Sequence, residues 1–182
     1  MGRVFIFVGR SASGKTSLQN YLAKKLNSPV HVSYTTRGRR EKEIDGVDYH
    51  FVSRDVFEST KMLERVEFNG NLYGIPKSDF EQILFNNKVS FIVTEQSGAR
   101  LLKKLYGNCV VTILLDMPAE VSRELLCRRD GVERGEARFA SDNLLDWGEN
   151  GYDFVIKETG KNWKTVRKNV SKIIESYSQV VL

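Results

Sequence analysis

Gly9-Arg10-Ser11-Ala12-Ser13-Gly14-Lys15-Thr16 has the spacing G-x-x-x-x-G-K-T of a phosphate-binding loop, or P-loop. Such a loop works only between a buried strand and the start of a helix, so it constrains the fold around it. Both neighbours are present. Val4-Phe5-Ile6-Phe7-Val8 is an unbroken apolar run of strand length, as a strand covered on both faces requires. Leu18, Tyr21, Leu22 and Leu26 are spaced as one face of a helix. Gly9 and Gly14 let the backbone turn where a Cβ would clash, so that N–H groups and the helix dipole converge on an anion. The cradle runs from Gly9 to Thr16 and on to Ser17. Lys15 is placed for the β- and γ-phosphates of a nucleoside triphosphate such as ATP, and the Thr16 hydroxyl for Mg²⁺.

A length of 182 residues suits one domain with appendages and is ample for a core. A hydrophobic share of 41% excludes a disordered chain. The net charge of +5 comes from lysines and arginines spread along the chain with no basic tail. That pattern favours small phosphorylated ligands over nucleic acid. Cys109 and Cys127 form no C-x-x-C pair and read as reduced thiols. There is no signal peptide and no apolar run near the ~18 residues of a membrane span, so a cytoplasmic protein with no membrane partner is expected. Ile6 stands where a myristoylation signal needs Ser or Thr.

Further along, apolar strand-like runs alternate with amphipathic helices, which predicts an α/β fold with a parallel sheet. Val30-His31-Val32-Ser33 reads as a second strand, and Tyr34 to Asp48 as an exposed polar excursion. Tyr49 to Val52 is extended. Ser53 suits the cap of a short helix carrying Val56 and Phe57. Phe68-Asn69-Gly70-Asn71-Leu72-Tyr73 carries a hairpin signal, and Ser78 with Glu81 a capping box. The sheet resumes at Val89 to Val93, followed by a short helix over Ala99 to Leu105 and a strand at Val110 to Leu115. Pro118 suits the first turn of the next helix. Phe154-Val155-Ile156 and a closing helix with Trp163, Val166, Val170, Ile173, Ile174 and Tyr177 complete the pattern.

A triphosphate loop leaves the acceptor open, and the polar excursion narrows it. Arg37 and Arg40 flank the hydroxyls of Ser33, Tyr34, Thr35 and Thr36. Guanidinium forks with hydroxyls suit a phosphate monoester, because Arg binds two oxygens at once. Tyr49 and Tyr73 add phenolic donors. A solvated basic loop has the same composition. A second cationic group, Arg123, Arg128, Arg129, Arg134 and Arg138, reads either as a closing lid that supplies charge and excludes water or as a basic exposed helix. His31 and His50 have no metal-ligand neighbours and read as structural.

The residues from Ser33 to Arg37, Arg40, Asp45 to Ser53, Glu64 and Phe68 to Gly74 together resemble the guanylate kinases. The resemblance runs with specific motifs from the P-loop to about Gly74, and beyond it in the order of elements. It implies a P-loop NTPase-type three-layer fold with a central parallel sheet, an inserted monophosphate-binding subdomain and a short lid. The implied boundaries are a core of 1–32, 86–122 and 143–182, a monophosphate-binding subdomain of 33–85 and a lid of 123–142. The implied activity is transfer of the γ-phosphate of MgATP to GMP or dGMP by a monomer or homodimer. Arg37, Arg40, Tyr49 and Tyr73 would hold the acceptor phosphate, and Ser33 and Glu64 would face guanine. Guanine presents N1–H and a 2-amino group side by side, and a carboxylate accepts both. Lys15 and Arg37, with Arg128, Arg129 and Arg138 at the positions of the lid arginines, would be catalytic.

Three departures stand out. Ile75 occupies a position where the family has Ser or Thr. Val93 replaces the first of two acids, which leaves Glu95 for a water-mediated Mg²⁺ contact or for the base. Lys157-Glu158 replaces the Asn-Asp near adenine. Two other readings therefore remain open: a non-catalytic module that binds peptides or phosphopeptides, and a kinase with another nucleotide or a sugar phosphate as acceptor. The intact Lys15-Thr16 pair counts against the first.

Overall fold

The computed structural model describes residues 2–41, 43–68, 70–145, 147–148, 150–157 and 162–178. Asn69 of the hairpin signal and Glu158 of the expected adenine contact lie outside that range.

The first strand, β1 (Arg3–Gly9), carries the apolar run and is the centre of the fold. It is flanked by β6 (Val89–Val93) and β7 (Val110–Leu115), and β8 (Phe154–Ile156) extends the sheet beyond β7, in the order β6-β1-β7-β8. All pairings are parallel. Alternation along β1 divides the core. Phe5 and Phe7 face a cluster with Leu18, Leu22, Phe91, Val166 and Val170, covered by α1 (Lys15–Leu26) and α7 (Trp163–Ser178). Val4, Ile6 and Val8 face the opposite cluster with Phe80, Leu84 and Leu102, covered by α3 (Lys77–Asn86) and α4 (Gln96–Tyr106). The result is a three-layer α/β arrangement in which β1 is almost wholly excluded from water, with Val4 to Phe7 at 0% exposure.

A second sheet, of order β3-β2-β5-β4, stands beside the first. Its strands are β2 (Tyr34–Thr35), β3 (His50–Phe51), β4 (Met62–Phe68) and β5 (Asn71–Pro76). The hairpin β4-β5 is antiparallel, with Gly70 in the left-handed region its turn requires (φ 71°). A bulge between Met62 and Glu64 shifts the register at Leu63, so that Glu64 pairs with Ile75. The short helix α2 (Arg54–Ser59) is capped as its sequence predicts: the Val56 amide donates to the Ser53 hydroxyl at 3.2 Å. Helices α5 (Ala119–Asp130) and α6 (Val132–Asn143) form a pair linked through Gly131.

Four local expectations are corrected. The strand at Val30–Ser33 is reduced to one bridge, Val30 to Phe91, because Tyr34 and Thr35 are committed to β5 soon afterwards. Those two residues accordingly form a strand, so the polar excursion begins only after them. The Ser78–Glu81 capping box does not form. Strand β5 runs directly into α3 at Lys77, so Ser78 already lies inside the helix and donates to Asp79, while Glu81 pairs with Lys77 and accepts from the Tyr106 hydroxyl. The helix expected at Ala99–Leu105 starts earlier, at Gln96.

Asp153, just before β8, ties three elements together. Its carboxylate accepts from the Thr112 amide at 2.8 Å, from the Thr112 hydroxyl at 2.9 Å and from the Lys103 ammonium at 2.9 Å. Burial pushes its pKa up, but the donors from Lys103 and Thr112 outweigh burial and hold it below the usual carboxylate value. Its stabilisation is therefore complete above the unfolded pKa and is lost as pH falls through the lower folded one. Asp153→Ala should cost about 2 kcal/mol or more in urea unfolding at neutral pH, because the buried Thr112 amide is left without its acceptor. The gap between variant and parent should narrow in acid; a constant gap would assign the loss to packing.

Candidate active site

The loop from Gly9 to Thr16 leaves the C-terminal end of β1 and enters α1. Its curvature needs positive φ at Gly14 (81°), the residue that precedes α1, and at Ala12 (62°). Gly14 also lies against the Trp163 indole, so any Cβ there would collide with the ring. A Cβ at Gly9 would approach the Leu115 carbonyl to 2.6 Å and the Ser13 hydroxyl to 2.9 Å. The buried Ser13 hydroxyl has no hydrogen-bond partner among the described residues. Lys15 turns back over the loop and donates to the carbonyls of Gly9 (2.7 Å) and Arg10 (2.8 Å). Burial lowers its pKa to about 8, against the pull of Glu95 and Asp142 and with a smaller push from Arg138 and Arg129. Thr16 and Ser17 lie on the first turn of α1, and both are exposed.

The end of α6 closes one side of the loop. Asp142, 7% exposed, accepts the Ser11 amide at 2.5 Å. Arg138 donates to the Ser11 hydroxyl at 2.9 Å and lies 3.7 Å from Asp142. Arg10 donates to Asn143 at 2.9 Å, and its guanidinium lies 5.5 Å from the centre of the Trp147 ring. Of the three lid arginines predicted, Arg138 reaches the loop directly. Arg129 pairs with Asp130 at 2.7 Å while its charge still acts on Lys15. Arg128 is exposed on α5 and makes no contact with the loop among the described residues.

The second sheet supplies a cationic and phenolic cluster. Arg37 lies 5.7 Å from the centre of the Tyr49 ring, and the Tyr49 and Tyr73 rings are 5.9 Å apart. Arg37 also makes a bidentate pair with Glu43, at 2.7 and 3.0 Å. The Arg37 hydrogen bonds hold the Glu43 carboxyl below its ordinary pKa. Glu43 also accepts the Arg40 amide at 2.8 Å, while the Arg40 side chain stays exposed. The Ser33 carbonyl accepts the His50 amide, which fixes Ser33 at the base of this sheet. A carboxylate held in this fork occupies the geometry of a phosphate monoester. Sequence reasoning missed Glu43 and Asp142, since neither lies in a motif. The acidic residue six positions after Arg37 was the one available signal.

Glu95 lies between the two halves. It precedes α4 and is exposed, and its charge acts on Lys15 from the loop, on Tyr49 from the second sheet and on Glu64 from β4. Glu64 in turn accepts hydrogen bonds from Thr94 and Ser97, so the small sheet touches the core at this turn. Val93 is half-buried against the α1 side of the core.

The sequence profile of the guanylate kinases matches residues 1–177. The chain belongs to the guanylate kinase family. It is 30% identical over 161 residues to a guanylate kinase of Thermus thermophilus, covering 85% of this chain and 73% of that protein. It is 34% identical over 164 residues to the guanylate kinase of Pseudomonas fluorescens, covering 85% and 79%. The fold superposes on the crystal structure of guanylate kinase from Anaplasma phagocytophilum with a TM-score of 0.65, at 25% identity over 97% of this chain and 86% of that one. A gluconokinase from Sinorhizobium meliloti shares the fold at 12% identity and a TM-score of 0.56, over 100% of this chain and 98% of that one. The fold is thus of the P-loop NTPase type. Among the described residues no helix is long and apolar enough to cross a membrane.

Ala12 is the strained member of the loop, since a Cβ at φ 62° clashes with its own carbonyl. Ala12→Gly should raise stability by about 0.5–1 kcal/mol, the left-handed penalty less the added freedom of the unfolded chain. Thermal melting of the ligand-free protein checks this, and a lowered melting temperature would count against the strain.

Proposed function

We propose that the protein transfers the γ-phosphate of ATP to GMP or dGMP, yielding ADP and the nucleoside diphosphate. The observation that carries this reading is the pair of phosphate sites flanking Glu95. One is the loop at Gly9–Thr16 with Lys15 on its carbonyls, and the other is Arg37 with Tyr49 and Tyr73. A peptide-binding module would have no use for the first. In domain terms, residues 33–85 act as the acceptor subdomain and 123–142 as the lid over a core of the remaining segments. A cytoplasmic setting, with reduced thiols and both nucleotides at hand, fits this role.

The loop is shaped for a triphosphate with Mg²⁺: its turns leave no Cβ on Gly9 or Gly14, and Thr16 stands at its mouth. Thr16 would hold the ion, with Glu95 contacting its water shell, and the ion would neutralise β- and γ-oxygens. Lys15 leaves the two carbonyls for the phosphates. Arg37 exchanges the Glu43 carboxylate for the acceptor phosphate, assisted by Arg40, Tyr49 and Tyr73. An acceptor phosphate oxygen attacks the γ-phosphorus as the bond to the β–γ bridging oxygen breaks. That oxygen is already anionic at neutral pH, so no general base is required. Arg138 and Arg129 bring charge from the lid side, and catalysis comes from in-line alignment and charge neutralisation. Ser33 and Glu64 face the guanine.

Purified protein with MgATP should release ADP with GMP and dGMP, far less with AMP, CMP or UMP. Glu64→Gln should lower kcat/KM for GMP by about 10²-fold, because the amide offers a donor where guanine needs an acceptor. An unchanged preference for GMP over AMP in that variant would remove Glu64 from base recognition.

Lys15 predicts a pH effect on donor binding. Phosphates favour its charged form, so binding takes up a proton once the free ammonium has begun to deprotonate, above about pH 8. ATP affinity should therefore fall as pH rises through 8, by up to about tenfold per pH unit. In Lys15→Met, calorimetry should show weaker binding without that slope. The same slope in the variant would assign it to another group.

A further inference from the structure

We infer that Thr94 and Ser97 are positioning residues that orient the Glu64 carboxylate for reading the N1–H and 2-amino edge of guanine. This rests on the guanylate kinase reading of the site and deepens it.

Glu64 is poorly served by its own hairpin. The residue opposite it, Ile75, is apolar and 3% exposed, and offers no hydrogen bond from its side chain. The bulge at Leu63 instead turns Glu64 toward the segment between β6 and α4. There each carboxylate oxygen receives one hydroxyl: Thr94 donates to Oε2 at 2.8 Å and Ser97 to Oε1 at 3.2 Å. The carboxylate also lies over Gly98, where a Cβ would fall on it. Three residues of one turn thus provide two donors and the space beneath them.

The chemistry follows from counting lone pairs. An ionised carboxylate has about four acceptor sites. Two are used by the hydroxyls, one on each oxygen, and each oxygen keeps one more. One acceptor site remains on each oxygen, the number that N1–H and the 2-amino group require. A carboxylate tethered at a single oxygen would turn freely about its last, broad torsion. The hydroxyls also favour the ionised form, since both donate to it. Burial pushes the Glu64 pKa up, as does the charge of Glu95 on the same turn, while Thr94 and Ser97 pull it down. From β5 the facing residue is the uncharged Ile75, and Arg100, one turn further along α4, donates to Gln96. Without the hydroxyls, Glu64 would protonate at higher pH and present an O–H where guanine also presents donors.

The test compares the parent with the double variant Thr94→Val and Ser97→Ala in steady-state assays at saturating MgATP, with GMP and IMP, which lacks the 2-amino group. KM for GMP should rise about tenfold with kcat little changed, and the preference for GMP over IMP should fall by a similar factor. The acid limb of kcat/KM for GMP should move to higher pH than in the parent. The acceptor phosphate ionises identically with both proteins, so that displacement reports Glu64. The swap Thr94→Ser with Ser97→Thr keeps both hydroxyls and should restore parent behaviour. If the double variant does not fold, Thr94→Val alone, which removes the shorter bond, should show the same changes at smaller size. An unaltered GMP to IMP ratio and acid limb in a folded variant overturn the assignment. Glu64→Gln separates the two levels. If it too leaves the preference intact, the reading of Glu64 itself has failed; if it abolishes the preference while the hydroxyl variants do not, only the positioning role is lost.

Discussion

The burial of β1 on both faces is the constraint on which the molecule depends. A strand whose side chains are almost all excluded from water has to be paired along both edges, because its amides and carbonyls have no solvent to meet. Strands β6 and β7 supply that pairing, and the helices on the two faces supply the cover. With those sides taken, the chain can leave only at the C-terminal end, and the sheet's free end becomes the place where a loop can present backbone N–H groups to a ligand. The same parallel arrangement brings the end of β6, followed by Thr94 and Glu95, to the side of the sheet where the loop begins. Loop and acid meet through strand order, although they are far apart in the chain.

Four cationic groups of the site are engaged from within. Lys15 rests on two carbonyls, Arg37 on Glu43, Arg129 on Asp130 and Arg138 on Ser11 and Asp142. On the proposed reading, ligand binding is an exchange of partners, and its free energy is the difference between a phosphate and the internal stand-in. Leaving such cations bare would cost more, since a partly buried charge without a partner loses its hydration and gains nothing. Internal pairing also keeps the arginines near their working geometry, so less side-chain freedom is lost when substrate arrives. Asp142 belongs to the same set, because it accepts an amide of the phosphate loop itself.

What could be read from the sequence was what local pattern determines. The apolar run of β1, the loop spacing, the Asn-Gly hairpin, the Ser53 cap and the stripe of α7 each depend on neighbours within a few positions. That Arg37, Tyr49 and Tyr73 would come together was legible because their chemistry is distinctive. The misses share a different cause. Ser78 and Glu81 have cap spacing, but β5 continues straight into α3 and removes the cap position. Val30 to Ser33 have strand composition, but the demands of the second sheet on Tyr34 and Thr35 leave room for one bridge. Glu43, Asp142, Thr94 and Ser97 are ordinary polar residues until tertiary structure sets them against an arginine, an amide or a carboxylate. No periodicity marks such contacts.

The exchange of partners also accounts for how the site tolerates its departures. Val93 at the end of β6 is apolar, and the carboxylates that act on Lys15 are Glu95 and Asp142. Burial lowers the Lys15 pKa to about 8 against their pull. On the proposed reading a bound triphosphate completes the charge balance around this lysine, which suits the loop to a highly charged ligand. Ile75 acts in the same direction on the acceptor side. With an apolar residue at 75, opposite Glu64, the hydroxyls that serve this carboxylate come from the core, at Thr94 and Ser97. The consequence is mechanical as well as chemical. Glu64 belongs to the small sheet and its two donors to the turn that follows β6 of the large one. Holding the Glu64 carboxylate in this orientation therefore requires the two sheets to be in contact, so on the proposed reading base recognition depends on how the small sheet sits against the core.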